Sequence, residues 1–375
     1  MTTVTLAFNH RRIACYYRPL LLVIVATVLF GVFWFTSRYP QLLVKADHVG
    51  GAIASMAYGG ELIHVAADAA LWEKILYGAV NWLDGMKIGM TFGVLLGALL
   101  HTTLRYYPLK IGKNLYLNSL KGALIGVPAA VCANCSVPVI CGVTRGHGRV
   151  EVALGFLFSS PNFNPVVVVM TFVALPLSMS LMKYAILLFV IIVLVPVLIA
   201  RLERDEPLSI LTTTAEGAVC EMPLALGTLE CTESFWSVSK EMGNDYLKNV
   251  WMLARPTLTL MLLASLVAAA LLTLIPWQSL LSEVTPWRIF LLSAISAFMP
   301  VPIALDVMFA ASLNSQGVAG GYVMMFLMTL GTFSIIPAIY LWRDVSRPLA
   351  LSMYLFFWAI GCITGLVFLL PITGG

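Results

Sequence analysis

The chain has 375 residues, is 60% hydrophobic with a mean hydropathy of +0.93, and carries only 11% charged residues. Soluble domains carry about 25% charge, so a soluble fold is excluded and a bilayer must cover the surplus apolar surface. The formal net charge of +4 comes with no basic patch, which argues against a nucleic-acid partner.

Residues 19–36 predict the first membrane span. Arg11, Arg12 and Arg18 ahead of it place the N-terminus in the cytoplasm, and the apolar run lacks a small-residue cleavage site, so it reads as a signal anchor. Arg18 and Arg38 are expected to snorkel at its two ends. Residues 45–80 are less apolar and predict an interfacial helix. Glu61, His64 and Asp68 share one face there, as a solvated surface or as a weak metal patch.

The second span is predicted at 84–104, ending at Arg105, Lys110 and Lys113. Segment 115–144 is apolar but broken by Gly126, Pro128, Pro138 and Gly142, and each proline removes a backbone donor and bends a helix. A basic glycine turn follows at 145–149. The span predicted at 150–176 is interrupted by Ser159, Ser160, Pro161, Asn162, Asn164 and Pro165, and 179–200 reads as a clean span ending at Arg201 and Arg204. Residues 201–255 are the only long polar stretch and predict a cytoplasmic linker with some helix. The second hydrophobic block predicts segments at 257–276, 288–311, 318–341 and 349–371, with Pro300 and Pro302 breaking the second and Pro337 the third.

The two blocks share an order: a plain span, a proline-broken segment, a turn, an interrupted span and a plain span. Val137-Pro138 can be laid on Val301-Pro302, and the run at 159–165 on 329–337. If the broken segments cross fully, Arg145, Arg149, Arg201 and Arg204 face outside; if they enter and return, these arginines and Arg343 and Arg347 become cytoplasmic, as the positive-inside rule prefers. The expected fold is therefore an all-α polytopic membrane protein, an inverted repeat with two proline-broken, re-entrant helical hairpins. Two kinked, fully spanning segments are the alternative. The expected units are 1–80 (N-terminal span and interfacial helix), 81–200 (first repeat), 201–255 (linker) and 256–375 (second repeat).

The seven cysteines are odd in number and irregular in spacing, which is no disulfide framework. Three crowd into CANCSVPVIC, residues 132–141. Cys132 and Cys135 share a helix face, and a fold-back at Pro138 would bring Cys141 near them. Thiols bind soft cations and metalloids without a buried charge, so the three are candidate ligands for a transported soft species; three buried small hydrophobes are the plainer reading. Asn134 lies between the first two. Asn162 and Asn164 are substrate ligands or satisfy backbone groups freed by the break, and Ser159 and Ser160 can cap the helix restarting at Pro165. The second block offers Thr329, Thr332 and Ser334. Asp306 is its lone deep acid, able to couple transport to protons or to pair with a snorkelling arginine. No cofactor is implied. A Walker A loop, a G-x-G-x-x-G turn and an H-E-x-x-H helix are all missing, so the chain is expected to be neither an enzyme nor its own transport ATPase.

Residues 135–172, CSVPVICGVTRGHGRVEVALGFLFSSPNFNPVVVVMTF, resemble the bacterial predicted-permease family that includes the ArsP organoarsenical exporter and YraQ-type permeases. The matching features are Cys135 and Pro138, the basic glycine turn at 145–148, the small-residue helix at 153–158, and the break at Pro161, Asn164 and Pro165. The second-half pattern is looser, with Phe298 and Met299 ahead of the prolines and Asp306 after them. The resemblance covers about 80–345 and implies an inner-membrane permease for a small molecule. In the arsenical exporter it implicates cysteines in efflux and arsenic resistance. Three readings stand: a secondary exporter of a soft metalloid or thiophilic small molecule, a permease or channel for another small solute with structural cysteines, and a membrane scaffold. Lipids and the cargo are the expected partners, along with further copies of the chain.

Overall fold

The computed structural model describes residues 16–40, 43, 62–66, 68–107, 112–145, 149–205, 234–275, 277–281, 283 and 285–369. Cys15, Cys220, Cys231, Glu61, residues 146–148 and linker residues 206–233 lie outside the described residues. Fourteen helices are formed in the described residues. They are α1 (Tyr17–Val32, continued by a π-helical turn Phe33–Arg38), α2 (Leu71–Tyr106), α3 (Leu115–Ala129), α4 (Ala133–Arg145), α5 (Val150–Asn162), α6 (Pro165–Ala174) and α7 (Leu177–Glu203, with a π-helical turn Val190–Leu194). The second half holds α8 (Phe235–Leu274), α9 (Trp277–Leu281), α10 (Pro286–Ser296), α11 (Leu305–Ser315), α12 (Gly320–Thr329), α13 (Ile335–Tyr340, continued by a π-helical turn Leu341–Val345) and α14 (Arg347–Val367). Among them α1, α2, α7, α8 and α14 are long and apolar enough to cross a membrane, and α5 with α6 is a pair bent by 49° at its break, a broken span or a re-entrant loop. The chain is thus an all-α, multi-pass membrane bundle.

One membrane face is marked by charge. Arg18 at the start of α1 pairs with Glu241 of α8 at 2.9 Å, and Arg105 near the end of α2 pairs with Asp245 at 2.6 Å. Residues 235–255, expected within the linker, therefore form the first half of α8. At about 1.5 Å per residue that helix outruns a hydrocarbon core of about 30 Å, and its charged half stands beyond it.

Interhelical contact rests on small residues. Gly89, Gly93 and Gly97 recur every fourth position of α2, and a Cβ on Gly93 or Gly97 would overlap the carbonyl oxygen of Cys135 or Pro138. Backbone lies on backbone here, as close packing in lipid requires. The pairs rise together in number, so α2 and α4 run parallel. α3 and α5 also run parallel: Asn118 bonds Glu151, Gly122 faces Val152, Ser159 bonds the Ala123 carbonyl, and Val131 bonds Ser160. α10 and α12 both run antiparallel to α14, through Ser293 and Thr329 at Gly361 and through Ile289 and Gly321 at Gly365. They are tied to one another by Ser296 Oγ and Thr329 Oγ1 at 2.6 Å.

Several expectations are corrected. Arg18 and Arg38 do not snorkel; they fold inward and are buried, Arg18 on Glu241 and Arg38 over the Phe33 ring. The described part of the expected interfacial helix, including His64 and Asp68, is non-helical up to Leu71. Segment 115–144 breaks at 130–132, where Ala130 takes φ 48°, and its glycines and prolines lie within helix. Pro138 sits inside α4, whereas Pro302 sits in the break ahead of α11, so the two Val-Pro pairs are not local equivalents.

Candidate functional site

Each break exposes backbone carbonyls that lose their helical donors, and each is served by an indole. Trp34 Nε1 donates to the Pro128 carbonyl at 2.8 Å, just before the first break, and Trp82 Nε1 donates to the Pro300 carbonyl at 2.8 Å, inside the second. Ala130 (φ 48°) and Ala304 (φ 64°) are the two non-glycine residues with positive φ among the described residues, one in each break. Alanine in the left-handed region costs energy, so surrounding contacts must hold both turns.

At the first break Cys132 and Cys135 are paired as a disulfide, with Cα atoms 5.1 Å apart. Cys132 Sγ also accepts the Cys135 N–H at 3.1 Å and lies 3.8 Å from Met86 Sδ. α4 runs unbroken through Pro138, because only one backbone donor is lost there and the flanking helix holds. Cys141 is therefore carried six residues beyond Cys135, about 9 Å along the axis, and no fold-back joins it to the pair. Among the described residues no three His, Cys, Asp or Glu side chains form a metal cage.

Between the two cysteines, Asn134 Oδ1 accepts the Ser334 hydroxyl at 2.5 Å, joining the start of α4 to the start of α13. The Asn134 amide nitrogen is buried with no acceptor, as are the Asn164 amide nitrogen and the Thr332 hydroxyl. Asn134 lines a crevice with Met90, Val137, Pro138, Thr257, Leu260 and Ile336 that has no room for a water molecule.

The other expected residues divide. Asn162 returns its amide to its own helix, donating to the Phe158 carbonyl at 3.1 Å, so it serves the backbone. Asn164, not Ser159 or Ser160, caps α6 by accepting the Val166 N–H at 2.9 Å, with Pro165 in the first helical turn. Ser159 donates to the Ala123 carbonyl at 2.9 Å, and Ser160 accepts the Val131 N–H at 3.1 Å. Both hold the first break in place. Asp306 pairs with Lys183 of α7, not with an arginine, and both are buried. Gly331 (φ 71°) stands over the Asp306 carboxylate, with Thr332 next in the chain.

Sequence reasoning missed Lys183, Arg38 and the two indoles. Lys183 was a lone charge in the apolar run LSMSLMKYAILLF, and such a charge inside a span is itself the signal. At the charged face Arg145 and Asp344 are a buried pair at 3.7 Å, and Thr144 Oγ1 meets Tyr340 OH at 3.2 Å, so α4 and α13 are joined there as well.

A family profile of the ArsP type, described as a predicted permease, matches residues 83–370. The chain belongs to this family of predicted permeases. Its membership makes it a membrane permease rather than an enzyme. The permease is also similar to the UPF0718 protein YraQ of Escherichia coli (strain K12), 23% identical over 279 residues that cover 74% of this chain and 75% of the relative. No solved structure matches.

Proposed function

We propose that the permease is a secondary exporter of a soft metalloid or thiophilic small molecule, with the Cys132–Cys135 pair as the group that meets the cargo. One observation carries this: the two sulfurs are already in contact, buried, at a helix break inside the bundle. Reduced by a small-molecule thiol, which leaves as its own disulfide, the pair is a preorganised dithiol for a trivalent arsenical. Each arsenic hydroxyl leaves as water with a thiol proton as one As–S bond forms. Cys141, itself in a disulfide, lies beyond the pair along α4 and does not join the chelate.

The scaffold that suits this role is an inverted repeat of 81–200 and 256–375, flanked by the 1–80 unit and joined by the 201–255 linker. In it α3–α4 and α10–α11 are re-entrant hairpins entering from opposite faces. The parallel runs of α2 with α4 and of α3 with α5 support the first hairpin, since they return Arg145 to the side of Arg105. The parallel run of α10 and α12 supports the second. With the Arg18–Glu241 face cytoplasmic, the N-terminus and the linker lie inside a bacterial inner membrane. Asn134, Ser334, Asn164 and Thr332 line the path between the hairpin tips, and protonation of Asp306 releases Lys183 to couple movement to protons.

The test is efflux. Cells expressing the wild type are expected to survive methylarsenite and to extrude it, and C132S and C135S to lose both properties at equal membrane abundance. Full resistance and flux in C135A would sink the thiol role. It would favour a permease for another solute, recognised by the unpartnered Asn134 and Asn164 amides.

A further inference from the structure

Arg38 closes the π-helical turn of α1 and is 5% exposed. Its guanidinium has no carboxylate partner among the described residues, lies 4.8 Å from the Phe33 ring centre, and keeps a buried Nε without an acceptor. An aromatic face offsets part of a buried cation's desolvation and none of its charge. A charge retained at this depth needs a reason beyond stability.

Its position supplies one. Arg38 Nη2 and Cys135 Sγ each lie 3.1 Å from the point where a Cβ would stand on Gly89. The cation and the sulfur meet over one glycine of α2, no further apart than about twice that distance. The delivery is firm: Phe33 stacks on Phe92 with centroids 3.7 Å apart, and Trp34 holds the Pro128 carbonyl. This helix precedes residue 83, where the family match begins, so the cation lies outside the matched region.

We propose that Arg38 is the anion-recognising half of a two-part site whose other half is Cys132–Cys135, so that the cargo joins a thiol-reactive centre to an anionic oxygen group such as a carboxylate. This rests on the thiol reading above and adds the charge of the cargo to it. A guanidinium binds planar oxyanions through paired, charge-assisted hydrogen bonds. In a dry site such bonds are worth about tenfold or more in affinity. A neutral cargo leaves the buried cation unpaired, and an anionic one removes that cost.

The test uses the reduced, full-length protein in lipid nanodiscs, titrated calorimetrically with phenylarsine oxide and with its 4-carboxyphenyl analogue. The wild type is expected to bind the carboxylated probe about tenfold tighter or more. R38Q is expected to erase that preference, bringing the ratio of the two affinities to about one, and R38K to keep part of it. Equal wild-type affinities, or a preference that survives in R38Q, overturn the role of Arg38 and leave the thiol reading standing. Failure of both probes to bind the wild type overturns both. Size-exclusion chromatography reports whether R38Q is folded, and the wild-type comparison decides the question even where it is not.

Discussion

Lys183 and Asp306 join α7 to α11 with side chains 0% and 7% exposed, so neither charge has water to fall back on. Removing one partner of such a pair costs about 3–5 kcal/mol. Asp306→Asn and Lys183→Met are each expected to lose 3–5 kcal/mol, about that range, in unfolding of the purified protein followed by tryptophan fluorescence. The double variant K183M/D306N strands no charge and is expected to regain most of the loss, a coupling of several kcal/mol in the cycle. Its transport separates the pair's two roles: a stable double variant with no proton-driven flux marks coupling, and one with unchanged flux marks a structural tie. A loss below about 1 kcal/mol in either single variant, or a double variant no more stable than the singles, refutes the reasoning.

The same unfolding assay reads the contact between the two breaks. Ser334→Ala removes the donor to Asn134 Oδ1 and leaves that buried amide bare at both ends, an expected loss of about 1–3 kcal/mol; unchanged stability would mean that the bond is not made. Gly93→Ala drives a methyl into the Cys135 carbonyl, backbone against backbone, and is expected to cost about 1–3 kcal/mol or more and to lower the folded yield on size-exclusion chromatography. Gly243→Ala on α8 meets nothing within 4 Å and is the control, expected to gain up to about 1 kcal/mol. Equal yields for the two alanine variants would refute the close approach of α2 and α4.

Hydropathy and proline punctuation made the bundle legible, because both report what lipid permits. They located the broken segments to within a few residues and missed the breaks themselves. A proline removes one donor, and a well-packed helix survives that, as α4 does at Pro138. What ends α3 is Ala130 in the left-handed region, which no residue type announces; contacts from Trp34 and Ser160 hold the turn. Pairwise i, i+3 spacing placed Cys132 beside Cys135 correctly because that contact is local. It misjudged Cys141, whose position depends on whether the chain turns. Lys183 and Asp306 are 123 residues apart, and nothing in either neighbourhood names the other.

The two breaks share a plan and differ in chemistry, which bears on how the molecule would work. Each has a strained alanine and a carbonyl bound by an indole from a neighbouring helix. The first adds sulfur and a bare cation; the second adds an ion pair. From the first, one hydrogen bond reaches the start of α13, from Ser334 to the residue between the two cysteines. A cargo drawn between the cysteines must move Asn134, and so must disturb Ser334, three residues beyond the Gly331 that covers Asp306. On the proposed function, occupancy of the sulfur corner and release of the Lys183–Asp306 pair would be linked through this path, and such a linkage would be reciprocal. S334A therefore does more than lower stability: it is expected to leave arsenical binding in place while uncoupling it from the pH dependence of flux. Binding and pH dependence lost together would show that the path runs elsewhere.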